Sequence, residues 1–337
     1  MDCNRNRIPA RWTCYLFHAW KRGKYMSILQ VDNVRKTFGQ KKVLQDLSFT
    51  VQEGNIFGFV GENGAGKTTT MKLILGLDQM NQGSISILGE KVTFGATRTN
   101  RYTGYLPDVP QFYDYMTARE YLILCGEITG LPKDERIKRV DEMLGLVHLF
   151  GVKTRIGGYS RGMKQRLGIA QALLNKPKLL ICDEPTSALD PNGRKEFLDL
   201  LYSLRSETTI IFSTHILNDV EQICDHVGIL NEGKMVVCSS IPELKKQYGQ
   251  QQVKIVFEQA HDKALFLERL EKSSLTNPYT IDPTGLATVI SFKATQREQY
   301  KNDAQQLLKL VQQHNILPLA FEQQEASLED IFLEVIR

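Results

Sequence analysis

Between Ile28 and Val60 the apolar positions alternate or run on continuously, without the three-to-four-residue recurrence of a helix. Leu47, Phe49 and Val51 alternate with Ser48, Thr50 and Gln52, the period of a strand with one face in a core, and Glu53-Gly54 reads as the turn that ends it. This predicts a β-rich lobe. The next run, Ile56-Phe57-Gly58-Phe59-Val60, has no polar side chain, as expected of a strand covered on both faces. Similar runs at Leu179-Leu180-Ile181-Cys182 and Thr209-Ile210-Ile211-Phe212 predict central strands of a mostly parallel sheet, and hence an α/β fold. Between them and the run at Ile56, residues Thr117 to Asn175 carry apolar positions at helical spacing, which predicts an inserted helical lobe.

Past Gly249 a second unit is expected over residues 250–337. Strands are predicted at Val253–Phe257, Ala287–Phe292 and Leu317–Phe321, alternating with helices near Lys263–Leu270 and Glu298–Val311. The last helix opens with Ser327 and, three residues on, Asp330, a capping-box spacing; Leu328, Ile331, Phe332 and Val335 give it one apolar face. This small α/β domain is expected to be accessory. At the other end, residues 1–25 are read as an upstream extension or a start chosen too early, because Met26-Ser27-Ile28 looks like a natural beginning. The rival reading is a short helix on an anionic membrane, since Ile8, Trp12, Leu16, Ala19 and Trp20 fall at helical spacing among basic residues.

Composition narrows the class. The chain has 337 residues, 42% hydrophobic and 24% charged, enough for a sizeable core. The net charge of +4 misleads: residues 1–25 hold six basic side chains against one acid, so the remainder sums to −1. With no basic stripe in that remainder, nucleic acid is not expected as a partner. The six cysteines lack C-x-x-C spacing and read as reduced thiols of a cytosolic protein. No apolar stretch approaches the roughly 20 residues that cross a bilayer, so any membrane role is expected to use a partner or a surface.

Chemistry enters directly after the run at Ile56. Gly61-Glu62-Asn63-Gly64-Ala65-Gly66-Lys67-Thr68 fits G-x-x-x-x-G-K-[ST], the phosphate loop. Glycines let backbone amides turn inward around phosphates, the helix that follows points its positive end at them, and Lys67 adds a full charge. Thr68 is placed to ligate Mg²⁺, and Thr69 stands in the same first helical turn. The expected ligand is a nucleoside triphosphate. At the end of the run at Leu179, Asp183 and Glu184 supply adjacent carboxylates whose side chains diverge, so Asp183 can reach a metal while Glu184 faces an attacking water. His215 ends Phe212-Ser213-Thr214-His215, where a side-chain donor could sense a γ-phosphate; alone it would be read as structural. The other five histidines carry no such setting.

Together these motifs resemble the nucleotide-binding subunit of an ATP-binding cassette (ABC) transporter, over about Ser27 to Ser240. That resemblance implies a P-loop NTPase cassette with a RecA-like core, a β-rich lobe and an inserted helical subdomain at about 117–175, followed by the accessory domain. The family's signature, usually Leu-Ser-Gly-Gly-Gln, is replaced by Tyr159-Ser160-Arg161-Gly162-Met163, in which Ser160 and Gly162 match. By the resemblance, Ser160, Arg161 and Gly162 face ATP held by an opposite protomer, and Phe38 stacks on adenine. By their own chemistry, Ser160 suits a helix N-cap and Phe38 could equally be a core aromatic. Where the family places a glutamine, Gly104-Tyr105-Leu106-Pro107 leads to Asp108, a candidate ligand of Mg²⁺ directly or through water; Gln111 lies three residues on.

The resemblance narrows to ATPases of drug or peptide efflux that work with a separate integral membrane permease. It implies an Mg-dependent ATPase, peripheral on the cytoplasmic face of the membrane, dimeric with itself or a related ATPase, using Lys67, Glu184 and His215 in turnover. Two rivals are a soluble cassette ATPase on ribosomes or DNA and a non-hydrolysing regulatory module. The first usually carries two cassettes or long heptads, neither visible here; the second needs Asp108 and the altered signature to disable turnover.

Overall fold

A computed structural model describes residues 27–96, 98–187, 189–248, 251–273, 275, 279–292 and 297–336. The expectation of a membrane-surface helix at residues 1–25 lies outside them. By its internal contacts the chain forms two units, one from the described residues of Met1–Ile56 with Thr68–Phe212, the other from Phe57–Lys67 with Ser213–Arg337.

In the first unit, β1 (Ser27–Phe38) and β2 (Lys41–Gln52) pair antiparallel, with Leu29 opposite Val51 and Val31 opposite Phe49. Leu29, Val31, Val34, Leu47, Phe49 and Val51 are all buried, which is the alternation visible in the sequence. β4 (Gln82–Ile87) pairs antiparallel with β1, and the short β5 (Glu90–Lys91) completes a sheet of order β2-β1-β4-β5. β6 (Thr103–Leu106) runs parallel to β7 (Leu179–Asp183), whose five residues are all buried, as is all of β8 (Thr209–Thr214). Their apolar runs therefore report burial on both faces.

The helical lobe contains α2 (Ala118–Ile128), α3 (Lys133–Leu146) and α4 (Arg161–Leu173), with α5 (Pro191–Ser203) following β7. Thr117 and Glu120 form a capping box on α2: the Thr117 amide donates to Glu120 Oε2 at 2.8 Å and the Glu120 amide to Thr117 Oγ1 at 3.3 Å. At the far end of α4 the carbonyls are closed from another helix. Arg139 of α3 is only 7% exposed and donates from Nη2 to Leu173 O at 2.7 Å and from Nε to Leu174 O at 3.2 Å. Arg139→Met keeps the stem but leaves those carbonyls without the guanidinium, so an unfolding free energy lower by about 2 kcal/mol is expected in urea titration.

In the second unit, β3 (Ile56–Val60) pairs in parallel with β9 (His226–Asn231), from Phe57 opposite His226 to Val60 opposite Ile229. β10 (Lys234–Ser240) pairs antiparallel with β9. β8 ends at Thr214, and α6 (Leu217–Ile223) begins three residues later; α7 (Ile241–Tyr248) follows β10. The C-terminal segment folds as β11 (Gln251–Phe257), α8 (Ala260–Glu271), β12 (Tyr279–Thr284), β13 (Ala287–Phe292), α9 (Arg297–Gln313), β14 (Pro318–Glu325) and α10 (Leu328–Ile336). The sheet order is β12-β13-β11-β14 and all its pairings are antiparallel. Val253, Ile255, Phe257, Ile290 and Phe292 meet Phe266, Leu270, Leu307 and Val311 of the two helices in one core. β12 has no counterpart among the strands expected from sequence. It holds Asp282 and Pro283 on an edge, where half-matched polarity is tolerated. The Ser327–Asp330 box forms, with the Ser327 amide on Asp330 Oδ2 at 2.9 Å and the Asp330 amide on Ser327 Oγ at 3.2 Å.

Candidate nucleotide site

The loop after β3 is shaped by what cannot fit there. A Cβ on Gly61 would lie 2.5 Å from the carbonyl oxygen of Leu230 at the end of β9, so this position admits only glycine. Gly64 and Gly66 take φ of +88° and +113°, the left-handed side that turns successive amides the same way. The Ala65 amide closes a turn on Glu62 O at 3.1 Å, leaving Glu62, Asn63 and Gly64 exposed at the rim. Lys67 is 6% exposed and curls back over the loop, its Nζ donating to Gly61 O at 2.6 Å and Glu62 O at 3.2 Å. Lys67 also opens α1 (Lys67–Ile74), with Thr68 exposed and Thr69 half-buried in the first turn. A glycine-rich turn with a buried ammonium at a helix N-terminus fits a polyphosphate. His215, exposed one residue after β8, belongs to the same unit as this loop.

The carboxylates belong to the other unit. Asp183 is 2% exposed at the end of β7. Glu184 follows in the left-handed region at φ +46°, an uncommon state for a glutamate, so the chain turns sharply between the two carboxylates. On the adjacent strand β6, burial pushes the Tyr105 hydroxyl up to about 12, with the charge of Asp183 adding to the effect. Asp183 and Thr68, hard oxygen ligands of suitable type for Mg²⁺, are the candidates to hold the metal.

Asp108 has other company. Its Oδ1 accepts from Ser187 Oγ at 3.1 Å and lies 3.7 Å from Arg161 Nη2, while its backbone carbonyl accepts from Gln165 Nε2 at 2.7 Å. The acid proposed as a metal ligand is thus shared between the turn after Glu184 and the first turn of α4. Ser160 caps that helix, its Oγ accepting from the Met163 amide at 3.2 Å. Beside the cap lies a cavity of about 360 Å³ lined by Ser160, Arg161, Gly162, Arg166, Leu189 and Phe197 among others. Phe38, at the end of β1, is 51% exposed, so it is not a core aromatic. The partners of Asp108 went unread in the sequence, because they join segments far apart in the chain. So did Lys36, whose only sequence signal is its place two residues before Phe38.

A phosphate loop with a buried lysine, paired carboxylates after an apolar strand and a serine-capped helix in an inserted helical lobe define an ATP-binding cassette. The family model "ABC transporter" matches residues 44–187. The chain is 38% identical over 322 residues to the ABC transporter ATP-binding protein YxlF of Bacillus subtilis (strain 168), covering 92% of this chain and 99% of that protein. It is 38% identical over 312 residues to the bacitracin transport ATP-binding protein BcrA of Bacillus licheniformis, covering 92% and 97%. With the linearmycin resistance ATP-binding protein LnrL of Bacillus subtilis (strain 168) it shares 33% over 311 residues, covering 91% and 98%. Among solved structures, an ATP-binding subunit of an ABC transporter superposes with a TM-score of 0.59 at 32% identity, covering 66% of this chain and 93% of that one. A dimeric cassette, MJ0796, bound to ADP and phosphate after hydrolysis, gives 0.58 at 25% identity, covering 63% and 98%. This chain belongs to the ABC transporter family and is an ATP-binding subunit of it.

Proposed function

We propose that this chain is the Mg-dependent ATPase of an exporter of drugs or peptides, bound at the cytoplasmic membrane face to a separate permease and working as a dimer. The observation that carries this reading is the match to the bacitracin and linearmycin proteins over nearly the whole chain, C-terminal domain included. Among the described residues, no helix is long and apolar enough to cross a membrane, which accords with the transport path lying in another subunit.

When bound, Mg-ATP would supply the phosphoryl group that is transferred to water. In this reading Lys67 and the loop amides of Gly61–Gly66 would bind and neutralise the phosphates, Thr68 and Asp183 would hold the metal, Glu184 would orient and deprotonate the water, and His215 would donate to the terminal phosphate. Phe38 takes the adenine. Ser160, Arg161 and Gly162 of one protomer close over nucleotide held by the other.

The test is co-purification in detergent from cells that produce the chain, with the Glu184→Gln variant held in Mg-ATP, followed by reconstitution of the recovered complex with the unmodified chain. Recovery of a polytopic membrane protein, and an ATPase rate in proteoliposomes that responds to bacitracin or a similar peptide drug, is the expected result. Recovery of ribosomes or nucleic acid instead would overturn it.

A further inference from the structure

Phe38 has a charged neighbour close at hand. Two residues earlier Lys36 turns its side chain into the protein and is 7% exposed, a low value for the residue type that most often stays in water. Its Nζ donates to Asp78 Oδ1 at 2.7 Å and to the Gln79 carbonyl at 2.7 Å. The same ammonium stands 4.4 Å from the centroid of the Phe38 ring. The hydrogen bond from Lys36 holds the Asp78 carboxyl below its usual range, which fits a pair that is charged in place. Neighbouring bonds fix the backbone too: the Thr37 amide donates to Asn81 Oδ1 at 2.7 Å and the Asn81 amide to Arg35 O at 2.9 Å. Asp78 to Asn81 lie just past the end of α1, so the segment that follows the phosphate-loop helix grips the segment that ends in Phe38.

We infer that Lys36 is a positioning residue for the nucleobase: anchored by Asp78 and Gln79, its ammonium supports one face of the Phe38 ring and leaves the other free to stack on a purine. This rests on the reading of Phe38 as the base-stacking residue. Two physical effects give the lysine its role. A half-exposed phenylalanine must give up rotamer freedom when it stacks, and a cation fixed against one face removes part of that freedom beforehand. A ring face is negative, so a cation beneath the ring also draws density away from the opposite face and eases the approach of another π system.

The experiment measures affinity of the purified full-length chain, in Mg²⁺, for ATP and for inorganic tripolyphosphate, which has the phosphates and no base. The variants are Lys36→Met, which keeps the stem, Phe38→Ala, and the two together. Lys36→Met is expected to weaken ATP about 3- to 10-fold and to leave tripolyphosphate unchanged. In the Phe38→Ala background it should cost nothing further, because the ring through which it acts is gone. Should Phe38→Ala leave ATP affinity intact, the base-stacking reading itself falls and the inference with it. Should Phe38→Ala weaken ATP while Lys36→Met does nothing, acts equally on tripolyphosphate, or adds fully to Phe38→Ala, the inference about Lys36 fails and the reading of Phe38 stands. Because Lys36→Met strands a partly buried carboxylate, Lys36→Met with Asp78→Asn provides the neutral pair if the single variant folds poorly, judged by the same outcomes; Lys36→Arg should restore most of the ATP affinity.

Discussion

Glu184→Gln is expected to lower steady-state ATP turnover by roughly 10²- to 10⁴-fold, the range a positioned general base contributes, while ATP affinity stays within about a factor of three. The asymmetry follows from what the substitution changes. Glutamine keeps the length and planar end of glutamate and can occupy the same left-handed backbone position at φ +46°, so the turn after β7 should survive. What disappears is the charge that would take a proton from water, which is used only on the way to the transition state. Phosphate release measured beside nucleotide binding separates the two, and turnover near that of the unmodified chain would remove Glu184 from the proposed role.

Lys67→Ala should act on the other quantity. The Lys67 ammonium is 6% exposed and already committed to the loop through Gly61 O and Glu62 O, so its removal deletes a pre-placed charge and leaves two loop carbonyls short of a donor. A charged hydrogen bond is worth about 1.5–3 kcal/mol, so ATP should bind roughly 10- to 100-fold more weakly. Titration calorimetry with ATP reads this directly, and affinity that stayed unchanged would contradict a phosphate-binding role. The two variants therefore divide the site: one binds and does not turn over, the other scarcely binds.

These residues could be found in the sequence because their chemistry is local. The phosphate loop needs consecutive amides and a lysine, and the carboxylates sit beside each other at the end of an apolar run, so spacing together with the flanking strands points to these residues. The three buried strands β3, β7 and β8 were legible for the same reason: burial on both faces removes polar residues from a short stretch. Relations between distant segments were not legible. The contact of Lys36 with Asp78 crosses 42 residues, and Asp108 meets Ser187 across 79. A lysine or an acid on a strand gives no sign of what it will face. The altered signature showed that Arg161 was unusual, yet only the fold reveals a carboxylate 3.7 Å away. β12 was missed because an edge strand is held by backbone pairing, and its side chains need not follow the alternation that burial imposes.

The pairing of β3 with β9 has a consequence for how the protein is made. Phe57 finds its partner His226 about 170 residues later in the chain, so the strand that carries the phosphate loop leaves the ribosome long before its neighbour does. At the usual 5–20 residues per second, Ile56–Val60 waits on the order of ten seconds or more with no polar side chain and both strand edges unpaired. During synthesis, then, this wholly apolar strand stays open to contact with other chains until its β9 partner has emerged.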